Sequence, residues 1–596
     1  MRRMQRVYLK LVSRRKEFIG DRSFMILLSI QVGFLAALAA MFLKFWIHFI
    51  ETDGIRFLPP VFYFLFPVVG IFLVVTLYRY VFINSQGFHG IAGVLESIRR
   101  KSSIIHYSLM YAQLVTGAIT IGLGGSSGLE SPTVVTGSAI GSNASRFFRL
   151  DYKFRTLFIG CGTAATIAAI FNAPIAGVIF ATEVILPQFS ATIFIPILIS
   201  SATGAFFSKL LMGGNVLFRV DGITAFTLQE IPLLMALGFF CGMVSLYYTK
   251  IFTLVKVTFR SFKNVWIKAL TGGLILGLLI FLFPVLFGEG YVGITDVIGG
   301  NFQYIWQESV FGAMGDNAWN VYLVFFLLIL LKPLAASITV NSGGEGGQFA
   351  PSFVTGGLSG FFFFLIASRF LPESQILNPT NYVLLGMGAV LAGVMHAPLT
   401  GIFLVAEVTQ SYELFIGLMI VTAVSFFTKF YFDREVIHFK GNPSTRDLDA
   451  TKHEFISLNN VRTADLVQRN PSVLYTDEKA TRILEVMSDP KIKILAVLDR
   501  DGIFQGMITD HQLRKLAARM EEIDQITVAQ IMTEAIATVE IREQMDLVVR
   551  KFDLYEVEYL PVFSKTHFVG FISRLSVLTS FREALKTSSD FLSENS

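Results

Sequence analysis

Hydrophobic residues run in long, nearly charge-free stretches between Phe24 and Phe432, and from Asp433 onward the chain is polar and charged throughout. The run from Phe24 to Ile50 is already long enough to cross a bilayer as a helix, which takes about 20 apolar residues. From about Asn460 the pattern shifts to short apolar runs between charged helices. This predicts a mainly α-helical polytopic membrane domain followed by a small soluble α/β domain.

The membrane part repeats itself. FNAPIAGVIFATEV, from Phe171 to Val184, aligns with MHAPLTGIFLVAEV, from Met395 to Val408, pairing Pro174 with Pro398, Gly177 with Gly401 and Glu183 with Glu407. Upstream, GLESPTVVTGSAIG from Gly128 aligns with GQFAPSFVTGGLSG from Gly347, pairing Pro132 with Pro351, Gly137 with Gly356 and Gly141 with Gly360. Generic packing of small residues between helices could give one such match. Two co-linear matches at a nearly constant offset point to a duplicated unit, and paired Gly/Pro-interrupted segments in two halves mark a transporter's binding site.

Each interruption, GLGGSSGLESP and NSGGEGGQFAP, precedes an apolar stretch that reads as a helix. Glycine allows the turn and close approach, and proline suits a first helical turn. Two helices are therefore expected to begin inside the membrane, where free N–H groups and the positive dipole end form an anion site without a fixed cation. Such dipolar donors hold a halide weakly enough for it to leave. Glu130 stands alone in this apolar setting, and an intramembrane carboxylate is functional by default.

Composition narrows the class. The chain is 53% hydrophobic and only 16% charged, against about 25% charged in a soluble domain. Its net charge of +5 owes much to the opening segment, with Arg2, Arg3, Arg6, Lys10, Arg14, Arg15 and Lys16. The apolar run that follows is too long for a secretory signal, and the positive-inside rule places the N-terminus in the cytoplasm. Nucleic acid is not an expected partner. Cys161 and Cys241, isolated in apolar stretches, are read as packing residues rather than a disulfide or metal pair.

On these motifs the chain resembles the CLC family of chloride channels and transporters from about Phe24 to about Lys440. GLESPTV resembles its GREGP signature, GGQFAP its GxFxP signature, and FNAPIAGVIFATEVILPQF its long AFNAPLAG stretch. The resemblance implies an inverted-repeat fold and a homodimer with one pore in each subunit. It also implies that Glu130 is the gating glutamate, competing with the anion and swinging away when protonated. Backbone amides around Gly128, Leu129 and Ser131, and at Gln348 and Phe349, would coordinate the anion, chloride in the first instance. Expected location is the cell membrane, multi-pass, with both termini cytoplasmic; the partners are an inorganic anion and the lipid bilayer.

Three positions depart from the family pattern. The serine that usually donates to the central anion falls on Gln86, an amide of different reach. The central tyrosine falls on His438, which would make the inner gate an imidazole able to titrate near neutral pH. The family's proton-relay glutamate falls on Val184, which carries no proton. That last difference favours a passive, Glu130-gated chloride channel, the alternative being a proton-coupled antiporter of the same fold.

The tail also repeats: ITVAQIMTEAIATVE echoes VRTADLVQRNPSVLY, and HFVGFISRLSVL echoes IFQGMITDHQLRKL. The pair resembles tandem CBS domains, which regulate many CLC proteins. CBS pairs often bind adenine nucleotides through Gly-x-x-Thr/Ser-x-x-Asp, but here the triplets are Gly506, Thr509, Gln512 and Gly570, Ser573, Ser576. Without the acid, a structural dimer contact is expected ahead of nucleotide binding. The expected layout is a basic segment at 1–23, a membrane domain at 24–440 with halves 24–212 and 229–440, a linker at 441–459, and CBS domains at 460–518 and 525–588.

Two readings from other classes compete. A CBS-bearing divalent-cation transporter would need several acids in the spans, and the candidates are Glu130, Glu183, Glu345 and Glu407. Gly125-Ser126-Ser127-Gly128 fits the GxSG of an intramembrane protease, but Ser127 would need a partner base, and His89 and His396 sit in better-explained contexts. Transport, not catalysis, is expected.

Overall fold

The structure is a computed structural model of the 596-residue chain. It describes residues 20–54, 63–85, 87–88, 90–186, 191–213, 218, 223, 228–299, 305, 318–372, 378–433, 437, 462–489, 492–517, 523–543, 545–565 and 567–580. Two compact units result, Met1–Arg446 and Asp447–Ser596.

The first half of the membrane unit runs α1 (Asp21–Phe49), α2 (Phe66–Tyr80), α3 (Gly90–Arg100), α4 (Leu109–Gly122), α5 (Glu130–Phe147), α6 (Tyr152–Phe171), α7 (Pro174–Phe180) and α8 (Ala191–Met212). The second runs α9 (Ile231–Arg260), α10 (Val265–Leu282), α11 (Tyr291–Ile298), α12 (Ala318–Ser342), α13 (Phe349–Phe370), α14 (Pro379–Met395), α15 (Pro398–Thr409) and α16 (Phe415–Phe432). Among the described residues, eight helices are long and apolar enough to cross a membrane.

Matching residues produce matching corners. α6 ends on Asn172 and α14 on His396, both left-handed (φ 53° and 55°), and the next helix starts at Pro174 or Pro398. A left-handed C-terminal residue stops a helix, and a proline at the first helical position opens the next. α5 crosses α6 where a Cβ on Gly137 would meet the Gly162 carbonyl, and α13 crosses α14 where one on Gly356 would meet the Gly386 carbonyl. Small residues let these backbones touch.

Short helices α7 and α15 then cap each other. Glu183, in the π-turn Ala181–Ile185 that continues α7, accepts from the Leu399 and Thr400 amides (3.1 and 2.8 Å) at the start of α15. Glu407, near the end of α15, accepts from the Ile175 and Ala176 amides (3.0 and 2.7 Å) at the start of α7. Each carboxylate satisfies orphan donors at the other half's helix N-terminus.

The second unit contains α17 (Thr463–Leu466), β1 (Gln468–Arg469), β2 (Val473–Tyr475), α18 (Thr481–Met487), β3 (Ile494–Leu498), β4 (Phe504–Thr509), α19 (Asp510–Ala517), α20 (Val528–Ile531), β5 (Val539–Glu540), α21 (Met545–Tyr555), β6 (Tyr559–Ser564) and β7 (His567–Ser573). β2 runs parallel to β3, which pairs antiparallel with β4; β5 runs parallel to β6, which pairs antiparallel with β7. Helices α18 and α21 supply the crossovers that parallel pairing requires. Phe504, Phe568 and Phe571 fill the space between the two sheets, Phe504 stacking on Phe568 at 4.6 Å.

Candidate functional site

The two glycine-rich breaks meet. Gly128 and Gly347 form an antiparallel bridge, with Gly128 N–H donating to the Gly347 carbonyl (3.0 Å) and Gly347 N–H to the Gly128 carbonyl (2.8 Å). Immediately beyond it α5 begins at Glu130 and α13 at Phe349, so two helix N-termini lie side by side. Pro132 and Pro351 occupy their first turns and remove donors that would have no intrahelical partner. α3 also starts here, since a Cβ on Gly90 would overlap the Ser131 hydroxyl.

The fully buried Glu130 side chain folds back over Gly128, where any Cβ would collide with its carboxylate. Oε1 accepts from the Tyr291 hydroxyl (2.9 Å), and the backbone amides of Glu130 and Ala350 face the carboxylate. Oε2 is buried without a close hydrogen-bond partner among the described residues. The carboxylate thus occupies the junction of the two helix starts, where positive dipole ends favour a negative charge.

Gly128, Leu129, Glu130, Ser131, Gln348 and Phe349 come together at this junction, but the expected anion donors Gly128 N–H and Leu129 N–H are already committed, to the Gly347 carbonyl and the Glu289 carboxylate. The Gln348 side chain is engaged elsewhere: Oε1 accepts from Tyr248 Oη (2.7 Å) and Nε2 donates to the Ala336 carbonyl (3.3 Å). Phe349 is wedged between the rings of Phe171 and Phe180. Gln86 and His438 lie outside the described residues, although their neighbours Ser85, Gly87 and Ile437 line one cavity. Val184 is half-buried in the π-turn after α7, beside the capping Glu183.

That cavity holds about 900 Å³ and is bordered by Arg79, Lys256, Arg260, Lys263 and Lys268, with Glu345 as its acid and Ser131, Gly347 and Gln348 at its inner end. Among the described residues, five cations around one carboxylate would raise the local anion concentration.

Sequence reasoning passed over three residues here. Glu289 accepts from the Leu129 amide (3.2 Å), placing a second carboxylate at the start of α5. Tyr291, two residues on, is the donor to Glu130. Buried Lys332 donates to Ser126 Oγ (2.9 Å) and the Gly288 carbonyl (3.0 Å), tying the first break to the Glu289 loop. The signals were GEGY between two apolar runs and a lone lysine in LLKPLAA. Neighbouring Ser127 is fully buried and its hydroxyl has no hydrogen-bond partner among the described residues, unlike an activated nucleophile.

In the tail, Gln512 Oε1 is taken by the Thr509 amide (3.1 Å) and hydroxyl (2.5 Å). The side chain at the place of the nucleotide-binding acid therefore closes on its own motif.

Comparison with known proteins agrees with this geometry. The family model described as voltage gated chloride channel matches residues 69–429, and one described as CBS domain matches residues 464–519. The chain is 28% identical over 417 residues to an H(+)/Cl(-) exchange transporter ClcA of Vibrio vulnificus, covering 66% of this chain and 84% of the relative. It is 30% identical to a ClcA of Vibrio cholerae, covering 56% and 69%, and 28% identical to chloride channel protein CLC-f of Arabidopsis thaliana, covering 56% and 44%. Among solved structures it is similar to a slow cyanobacterial Cl-/H+ antiporter, with TM-score 0.60, 21% identity, and coverage of 70% of this chain and 96% of that one. A eukaryotic CLC transporter gives TM-score 0.57 at 16% identity, covering 93% and 97%.

Proposed function

The chain belongs to the voltage-gated chloride channel (CLC) family, and on that premise we propose that it exchanges chloride for protons across a membrane. The observation that carries this reading is the Glu130 carboxylate lying where α5 and α13 begin, a place whose amides suit an anion equally well. An ionised Glu130 excludes the anion; a protonated one gives up its hold on the dipoles and yields the place. The amides of Glu130 and Ala350, which face the carboxylate, and those of Ser131, Gln348 and Phe349 beside them are the anion's donors, because the Gly128 and Leu129 amides already donate to Gly347 and Glu289.

Exchange replaces the passive channel expected from Val184. That expectation rested on one residue type at one place, whereas the relatives at 28–30% identity include proteins named as H(+)/Cl(-) exchange transporters. A titratable group that blocks the anion only when charged links proton and anion occupancy directly. The positive-inside rule turns the lysine- and arginine-lined cavity toward the cytoplasm of a multi-pass protein in the cell membrane. The protein works as a homodimer, each subunit with its own pore, and the CBS-type tail regulates it.

Purified protein in chloride-loaded vesicles tests the reading. With an outward chloride gradient and no pH gradient, chloride efflux is expected to drive protons inward. A reversal potential fixed by chloride alone, unmoved by a pH gradient, would mean passive conduction.

A further inference from the structure

We propose that Glu345 takes protons from the basic cavity and passes them toward Glu130, supplying the acid that Val184 does not. This rests on the exchange reading above.

Exchange needs a cavity-side group that holds a proton. Glu183, the acid beside Val184, is already committed, its two oxygens accepting from Leu399 N, Thr400 N and Thr400 Oγ1. Glu345 lines the cavity and is half-buried, so it meets water on one side and the protein interior on the other. Its Oε2 accepts from Tyr78 Oη (2.7 Å), and Tyr78 Oη accepts in turn from Gln113 Nε2 (3.3 Å). With the tyrosine proton directed at it, the carboxyl keeps a fixed orientation.

From Glu345 the backbone leads to Glu130. A Cβ on Gly346 would overlap the Ser127 hydroxyl, Gly347 is bridged to Gly128, and the Glu130 carboxylate covers Gly128. Ser127 Oγ and Glu130 Oε2 are both buried and have no hydrogen-bond partner among the described residues. Buried oxygens of this kind are ordinarily satisfied by water, and a hydroxyl can accept one proton while releasing another.

The repeat supplies an independent argument. Two residues before the bridging glycines stand Ser126 in the first half and Glu345 in the second. Fifteen residues before them stand Gln113 and Lys332. Lys332 holds Ser126, while Gln113 holds the Tyr78 that binds Glu345. A serine suffices for the fold on one side of the pseudo-symmetric junction, so the carboxyl on the other side answers to something besides the fold.

The step moves only protons. A hydrated proton entering the cavity from solution moves to a Glu345 oxygen, leaving neutral water; Glu345 passes it through intervening water to Ser127 Oγ, which releases its own proton to Glu130, so Glu345 and Ser127 return to their starting states. Neutral Glu130 leaves the amides, the anion occupies them, and Glu130 later releases its proton on the far side.

Vesicles containing the full-length wild type, Glu345→Gln, Glu345→Asp and Tyr78→Phe, assayed for proton uptake and chloride efflux together, test the assignment. Glu345→Gln is expected to lower proton uptake about 100-fold, the scale of one positioned acid–base group, while chloride efflux continues. Glu345→Asp should restore part of the uptake, and Tyr78→Phe should lower the proton-to-chloride ratio without slowing efflux. Coupled wild type with equally coupled Glu345→Gln overturns the role of Glu345 and leaves exchange standing. Uncoupled wild type overturns both. If Glu345→Gln carries no chloride, Tyr78→Phe decides: a lowered ratio supports the path, and an unchanged ratio overturns it.

Discussion

In the first membrane half the helix after the bridging glycine starts with Glu130; in the second, the helix in the same register starts with Phe349. Around this difference the halves agree closely. Thr120 Oγ1 accepts from the Glu345 amide (2.9 Å), and Thr339 Oγ1, equally far before its own bridging glycine, accepts from the Ser126 amide (3.1 Å). Gly125 N donates to the Thr120 carbonyl and Gly344 N to the Thr339 carbonyl. Glu183 and Glu407 cap each other's partner helices. Paired residues build the frame that brings two helix N-termini together. The unpaired ones (Glu130 against Phe349, Glu345 against Ser126, Lys332 against Gln113) put an acid at the junction and another at the cavity, which gives the frame a direction.

Neutralising the unpaired acid at the junction is the severest way to test this division. Glu130→Gln is expected to abolish proton coupling and flatten the pH dependence of chloride efflux. Wild-type efflux should rise as pH falls, because protonation removes the competing charge, and the variant should stay near the acid-limit rate at every pH. At neutral pH the gain is about tenfold, equivalent to about 1.4 kcal/mol of relieved competition. Phe349→Leu, in the same register, should leave the pH profile unchanged and cost about 1 kcal/mol of packing against Phe171 and Phe180. Efflux measured from vesicles across a pH series checks both, and identical profiles for Glu130→Gln and wild type would remove Glu130 from the gate.

How much of this was visible in the chain follows the same division. GLESP and GQFAP announced helix starts because glycine at the turn and proline in the first turn are needed wherever a helix must begin inside the bilayer. FNAP and MHAP marked two equivalent places in the halves, and the repeat paired Glu183 with Glu407, which the structure shows as reciprocal helix caps. Glu289, Tyr291 and Lys332 lie outside both repeated motifs and were missed. Tyr291 reaches Glu130 across 161 positions and Lys332 reaches Ser126 across 206, and no local pattern encodes such contacts. Gln348 was legible as a residue of the helix junction, but its side-chain amide is spent on Tyr248 and Ala336. Val184 pointed to a channel as one residue type at one position, whereas relatives named as exchange transporters favour the antiporter alternative.

The paired acids give a milder test. Glu183→Gln and Glu407→Gln each weaken charge-assisted hydrogen bonds to backbone amides, worth about 1.5–3 kcal/mol. The two losses should be similar, each lowering the unfolding temperature in detergent by several degrees, with the proton-to-chloride ratio unchanged. A drop for one variant alone, or a changed ratio for either, would mean that these twins are not equivalent parts of the frame.

The smallest expected effect is the sharpest discriminator. Thr120→Val and Thr339→Val nearly preserve shape, and each deprives one glycine-loop amide of its acceptor at about 1 kcal/mol. As stability changes the two should be indistinguishable in thermal unfolding. As transport changes they should differ, because Thr120 anchors the amide of Glu345 and Thr339 anchors that of Ser126. Thr120→Val loosens the carboxyl that faces Tyr78 and should lower the proton-to-chloride ratio, whereas Thr339→Val leaves that carboxyl in place. Equal shifts in ratio would assign coupling to the rigidity of the whole junction; a shift confined to Thr120→Val assigns it to the one loop where the repeat exchanged a serine for an acid.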